Sequence, residues 1–208
     1  MKKMILLALS LVWIASATAQ IRSDYREKEM SWTRTAKRID DRFFYLYTNE
    51  AKRIADNLVL YQLESGAWQK NVYFPAEITA EQKKKISANK KHVEWGTIDN
   101  GSTTTEIIYL SKMYNVVRDE KYKKAALKGI EYLLEAQYEN GGWPQFYPNA
   151  KGYARHITYN DNAMVNVMRV LCKTSLNTTR FTGMYPHHCV RKPRQPLTKA
   201  CNVFSPPR

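Results

Sequence analysis

The stretch Gln137–Met164, QYENGGWPQFYPNAKGYARHITYNDNAM, decides how the chain is read. It opens on a Gly-Gly-Trp turn and crowds aromatic and basic residues into its middle. It closes on Asn160-Asp161-Asn162, where a helical pattern resumes. A sparser copy lies upstream: Gln62-Leu63-Glu64-Ser65-Gly66-Ala67-Trp68, a connector, then Ile98-Asp99-Asn100 before another helical pattern. Trp68 and Trp143 are 75 residues apart, and Asp99 and Asp161 are 62 apart. The unit is thus helix, Gln-x-Glu-x-Gly-(Gly/Ala)-Trp, connector, Asp-Asn, helix. A long repeat of helix pairs points to a helical array or a closed α/α toroid. Connectors at one rim of a toroid converge on a cleft, so both Asp-Asn pairs are expected there.

Outward from these copies the periodicity is helical, and no β pattern is convincing. Glu50–Gln62 carries Ala51, Ile54, Ala55 and Leu58 on one face at spacings of three and four. Gly66 follows where such a helix stops. Thr103–Val117 offers Ile107, Leu110, Met113, Tyr114 and Val117 as a buried stripe. Asp119–Gln137 repeats the pattern through Tyr122, Ala125, Ala126, Gly129, Ile130, Leu133, Leu134 and Gln137. The last two helices are expected to form an antiparallel pair joined near Arg118–Glu120. Another helix starts at Ala163. The long connector Asn71–Glu94 carries lysines at 83–85, 90 and 91, read as a solvated helix or loop. Trp32, Phe43, Phe44 and Tyr45 are expected to fold against the body.

The ends differ from the middle. Lys2 and Lys3, the apolar run Met4–Ala15 and Ala17-Thr18-Ala19 have the layout of a cleavable export signal, so residues 1–19 are set apart. That run is too short to span a membrane comfortably, and no stable membrane insertion is expected. The mature chain is expected in the periplasm or outside the cell. The net charge of +14 is unevenly spread: residues 173–208 hold 7 basic and no acidic residues, and the leader adds 2 basic ones. Residues 20–172 therefore carry a net charge of +5. A mildly basic body suits an acidic ligand and does not call for nucleic acid. Past Lys173 periodicity ends and 5 of the 8 prolines appear. Residues 173–208 are read as a basic tail, expected to be disordered, with a reading-frame change near codon 172 favoured as its origin. Cys172, Cys189 and Cys201 all lie at or beyond that boundary; their odd number and spacing suggest no metal site.

Several residues are candidates for chemistry. Asp99 and Asp161 stand at helix starts, where a carboxylate caps free N–H groups and meets a favourable dipole. Alternatively, two ionised carboxylates at one rim, with amide oxygens from Asn100, Asn160 and Asn162, suit a hard cation such as calcium. Trp68 and Trp143 read as core anchors of their turns or as platforms for a sugar ring. Lys70, Asn71, Arg155 and His156 are the polar groups nearest these turns, and an arginine can grip a carboxylate through two hydrogen bonds. Tyr147, Tyr153 and Tyr159 either line the cleft or pack. His156 has no nucleophile or carboxylate at a diagnostic spacing.

Six segments in order resemble polysaccharide lyase family 10, the pectate lyases. They are Glu50-Ala51-x-Arg53-Ile54-Ala55-Asp56-Asn57, Gly66–Asn71, Thr97-Ile98-Asp99-Asn100-Gly101, Glu131–Gln137, Asn140-Gly141-Gly142-Trp143-Pro144-Gln145 and His156–Met164. The resemblance covers roughly residues 38–171. It implies an all-α fold, an α/α toroid with long connecting loops, left incomplete here, formed by residues 20–172. It also implies calcium-dependent β-elimination of polygalacturonate, an acidic polysaccharide, by a chain expected to be monomeric. Asp99, Asn100 and Asp161 look like its calcium residues. Lys70, Asn71, Trp143 and Arg155 are taken as substrate-binding. Ala67 and Gln69 depart from the family's usual Gly and Pro. The family's base looks like an arginine further downstream, where nothing past Lys173 matches, so no catalytic residue is assigned. Two other readings stay open: a truncated, non-catalytic polygalacturonate-binding fragment, and a toroid glycoside hydrolase using Asp99 and Asp161.

Overall fold

A computed structural model describes residue 46, residues 48–157 and residues 159–175, the last three without their side chains. Residues 1–19, read as a leader, the aromatic residues Trp32, Phe43, Phe44 and Tyr45, and the basic tail from residue 176 on, with Cys189 and Cys201, lie outside the described residues. Among the described residues there are five α-helices: α1 Asn49–Tyr61, α2 Ala80–Asn89, α3 Thr104–Val117, α4 Glu120–Glu135 and α5 Ala163–Ser175. Among the described residues the only β feature is an isolated bridge between Thr97 and Phe146. The fold is all-α, of the α/α-toroid type, with helix pairs and long connectors between them.

Local chemistry sets the helix ends. The Thr48 hydroxyl accepts from the Ala51 N–H at 3.2 Å and starts α1. Thr79 and Gln82 form a reciprocal capping box at α2. Asp119 accepts from the Lys121 N–H at 3.0 Å and starts α4. The left-handed Arg118 (φ 60°) ends α3, so α3 and α4 turn back on each other across two residues. Helix α3 is the centre of the molecule: α1, α4 and α5 all pack on it. Its buried face is wider than the expected stripe, adding Tyr109 to Ile107, Leu110, Met113 and Tyr114. Val117 is exposed instead, because the helix ends there beside Arg118. In α4 the buried set gains Tyr132 and loses Gln137, which lies beyond the helix end. Helix α5 runs through Lys173 to Ser175, past the point where composition changes. Cys172 on it is exposed.

Polar groups tie the helices together. The Tyr109 hydroxyl donates to the Ala51 carbonyl at 3.0 Å, joining α3 to α1. The Gln62 amide donates to the carbonyls of Gly66 and Ala125, both at 2.8 Å, joining the end of α1 to α4. Asn57, buried on α1, donates to the carbonyls of Phe74 and Ala76 and so pins the first connector. The lysine-rich α2 buries none of its residues, in line with its reading as a solvated element.

The two tryptophan turns are built alike. Trp68 Nε1 donates to the Leu58 carbonyl at 2.8 Å, and Trp143 Nε1 donates to the Leu133 carbonyl at 2.7 Å. Both acceptors lie in the last turn of a helix, and Leu58 O accepts from the Gln62 N–H at 3.1 Å as well. Gln62 and Gln137 each donate to the carbonyl of the glycine four residues on. Those glycines, Gly66 and Gly141, have φ of +94° and +90°, a region other residues enter only at a cost.

Gly129 on α4 is where the first indole docks. A Cβ there would lie 2.7 Å from Ile107 Cγ1 and 3.0 Å from Trp68 Cζ3. Alanine improves helix propensity by about 1 kcal/mol, but overpacking a core typically costs about 1–3 kcal/mol. Gly129→Ala is expected to destabilise the protein, or at best leave it unchanged. Urea unfolding followed by tryptophan fluorescence checks this; a raised midpoint would show that the contact between α3, α4 and Trp68 is loose.

Candidate functional site

The two connectors are laced together by backbone bonds. The Thr97 N–H donates to the Trp68 carbonyl at 3.3 Å, and the Ile98 N–H donates to the Gln145 carbonyl at 3.0 Å. The Gln145 N–H donates in turn to the Ala154 carbonyl at 2.8 Å. The fully buried Thr97 hydroxyl donates to Gln145 O at 2.6 Å and accepts from the Asp99 N–H at 3.0 Å. Pieces of both repeats thus meet beside Asp99.

Asp99 opens a short 3-10 turn, Asp99–Gly101, and Asp161 is the middle of another, Asn160–Asn162. The two turns pack against each other, and both touch α5. Their backbones match in a register one residue off the Asp-to-Asp alignment. Asn100 (φ 53°, ψ 22°) corresponds to Asp161 (φ 49°, ψ 25°), and Ile98 corresponds to Tyr159. Asp99 therefore stands opposite Asn160. Short Asn and Asp side chains tolerate this left-handed conformation better than most.

Neither aspartate caps a helix. Thr103 precedes α3 and its side chain caps nothing. Its hydroxyl instead accepts from the Trp68 N–H at 3.1 Å and donates to the Thr97 carbonyl at 2.8 Å. Asp99 Oδ1 accepts from the Asn100 N–H at 3.1 Å, and Oδ2 accepts from Lys70 Nζ at 2.6 Å. Asp161 is exposed and accepts from the Asn160 amide at 2.9 Å. The capping role expected as one alternative is corrected: Asp99 accepts from Lys70 and the N–H of Asn100, Asp161 accepts from the Asn160 amide, and neither bonds the N–H groups of the long helix that follows it.

Lys70 and Asn71 line a shallow cleft, open to solvent, together with Asn100, Ser102, Thr105 and Glu106. Lys70 Nζ also lies 5.5 Å from the centre of the Phe146 ring, within cation–π range. Trp143 is corrected from a sugar platform to a core anchor: it is 1% exposed and its indole bonds a helix end. Trp68, fully buried, is an anchor too. Arg155 ends the turn Gly152–Arg155 with an exposed side chain, while its carbonyl accepts from the Tyr138 hydroxyl at 2.7 Å. His156 is exposed. Tyr147 packs edge-on against Tyr132, whereas Tyr153 and Tyr159 are 75% and 57% exposed. Residue-type reasoning passed over Thr97, Thr103 and Phe146, since none carries a charge or falls in a recognisable ligand spacing.

The oxygen-only donor set of Asp99, Asn100 and Asp161 fits a hard cation chemically. Among the described residues, no cluster of three or more His, Cys, Asp or Glu side chains is placed to hold a metal. From the described residues, a cation at this rim would have at most two carboxylates and would need amide oxygens, water or a ligand's carboxylates besides. The displaced ionisations belong to the scaffold: burial, then the Asp56 carboxylate, pushes the Tyr122 hydroxyl well above the usual phenol range.

The pectic acid lyase family matches residues 62–203. The chain belongs to that family. The match runs past Lys173, into the segment whose composition sets it apart. No curated protein matches. Similar solved structures include the following two. One is an aspartate-to-alanine mutant of the family 10 polysaccharide lyase from Cellvibrio cellulosa in complex with trigalacturonic acid. It is 30% identical, with a TM-score of 0.63, over 74% of this chain and 45% of that one. The other, family 10 polysaccharide lyase from Cellvibrio cellulosa, is 27% identical, with a TM-score of 0.63, over 85% and 49%. The chain spans about half the length of these relatives.

Thr103 is the joint of the rim, holding Trp68 and Thr97 at once with a positive φ of 63°. Thr103→Val keeps the shape and strands a buried N–H and a buried carbonyl, each costing about 1–3 kcal/mol. A loss of at least about 2 kcal/mol in urea unfolding is the expected outcome; a loss below 0.5 kcal/mol, on the order of a neutral surface change, would mean the joint lies elsewhere.

Proposed function

We propose that this chain provides one side of the cleft of an exported, calcium-dependent pectate lyase that cleaves polygalacturonate by β-elimination. The observation that carries the reading is the packing of the Asp99 turn on the Asp161 turn, with Lys70 beside Asp99 at the mouth of one cleft. Family membership supports the lyase chemistry, and the relative solved with trigalacturonic acid supports the substrate class. Among the described residues, no helix is long and apolar enough to cross a membrane.

In this reaction the C5 proton of a galacturonate is removed, the C4–O glycosidic bond breaks, and a C4–C5 double bond remains. Negative charge develops on the carboxylate beside C5. When bound, calcium would supply positive charge next to that carboxylate. Asp99, Asn100 and Asp161 would hold the cation through oxygen. Lys70, ammonium-bearing and partly exposed on the cleft wall, would meet a uronate carboxylate and counter its charge. Arg155, exposed on the second connector, would offer a second carboxylate contact. No group here is assigned as the base.

The hydrolase alternative asks Asp99 or Asp161 to donate a proton. Asp99 acts only as an acceptor, from Lys70 and from a backbone N–H, which suits charge stabilisation more than acid catalysis. A non-catalytic polygalacturonate-binding role remains the outcome if turnover is absent.

The test is the ultraviolet absorbance of unsaturated uronides released from polygalacturonate by the full chain, with calcium and then with chelator. A calcium-dependent rise, reduced at least about tenfold by Asp161→Asn, is expected. Reducing ends without ultraviolet absorbance would replace elimination with hydrolysis. Saturable binding without either product would replace the enzyme with a binding fragment.

A further inference from the structure

Lys70 and Asp99 form the tightest ion pair at this rim, 2.6 Å between Nζ and Oδ2. The pair is asymmetric. The Asp99 side chain is 11% exposed and the Lys70 side chain 35%. Asp99 is held from behind: its N–H bonds the Thr97 hydroxyl, and its Oδ1 takes the Asn100 N–H. The lysine has a second place to rest, the face of Phe146. The fixed partner is thus the carboxylate, and the movable one is the ammonium.

We infer that Lys70 is a built-in counter-cation of Asp99, which a divalent cation must displace in order to bind at this rim. A buried carboxylate without a partner is costly, and the ammonium covers that cost while no metal is bound. The same ammonium occupies Oδ2, an oxygen that a hard cation held by Asp99 would draw on. Two positive charges cannot share one carboxylate oxygen at contact distance without strong repulsion. Cation loading is therefore an exchange, and it leaves Lys70 free on the wall of the cleft. An anionic ligand that accepts the released ammonium favours the exchange, so a uronate oligomer and the cation promote each other's binding, reciprocally.

This inference rests on the cation reading proposed above, and the experiment separates the two. Calcium is titrated calorimetrically into the full-length wild type, Lys70→Met and Lys70→Arg, with and without trigalacturonate. The expected result is calcium affinity about tenfold higher for Lys70→Met in the absence of trigalacturonate. Lys70→Arg should stay near wild type. Trigalacturonate should raise calcium affinity in the wild type, and much less in Lys70→Met. Equal or weaker binding by folded Lys70→Met, with the wild type binding calcium, overturns the exchange and leaves the cation site standing. No calcium binding by any form, with or without trigalacturonate, overturns both. If Lys70→Met does not fold, the wild type decides: the Lys70 side-chain resonance, assigned by its loss in Lys70→Arg, must shift when calcium is added. An unmoved resonance under saturating calcium overturns the exchange.

Discussion

An indole N–H reaching back ten residues to a helix carbonyl is the contact on which the rest of the structure depends. It is made twice, by Trp68 to Leu58 and by Trp143 to Leu133. A buried indole N–H left unpaired costs free energy. Each tryptophan pairs that donor with a carbonyl of the last helical turn (Leu58 O also accepts from the Gln62 N–H) while filling the space at the helix terminus with a large apolar ring. Each bond also sets the path of the chain, because the glycine just before it must turn with a positive φ. The connector then leaves the helix at a defined place and angle.

Beyond the anchors the two connectors diverge, and their divergence makes the rim asymmetric. They converge again through Thr97 and Gln145, whose side-chain and backbone bonds act as a short ladder outside any sheet. One carboxylate, Asp99, ends up buried, tied and paired. The other, Asp161, sits one step later in the equivalent turn and faces solvent. A duplicated backbone thus supplies two carboxylates with different exposure, different partners and different freedom to move. Thr103 accepts an unfavourable backbone conformation to hold this junction.

Much of this was legible in the sequence because the signals were periodic or covalently local. The stripes of α1, α3 and α4, the glycine stops and the repeated Gln-x-Glu-x-Gly-x-Trp all report local geometry. The meeting of the two Asp-bearing turns was also expected, from topology. Less legible was everything set by contacts between the connectors. Matching Asp to Asp put the turns out of register, since side-chain identity was used where backbone conformation is what repeats. A tryptophan beside a turn has the same letters whether its ring faces a sugar or a helix end; only the carbonyl ten residues back distinguishes them. Thr97 and Thr103 matter through hydroxyls that satisfy buried backbone groups, a role open to any threonine and so invisible in the residue type.

Helix α2 shows how unevenly the molecule spreads its cohesion. The first connector is longer than the second, and the surplus is wound into a capped helix that buries no side chain. Its cap and the Glu81–Lys85 ion pair act within the helix itself. A segment with so few buried contacts can open and reclose without disturbing the core. The chain thus carries a locally unstable insert on a stable frame, so α2 can change in length and sequence while the tryptophan anchors and the acidic rim keep their places.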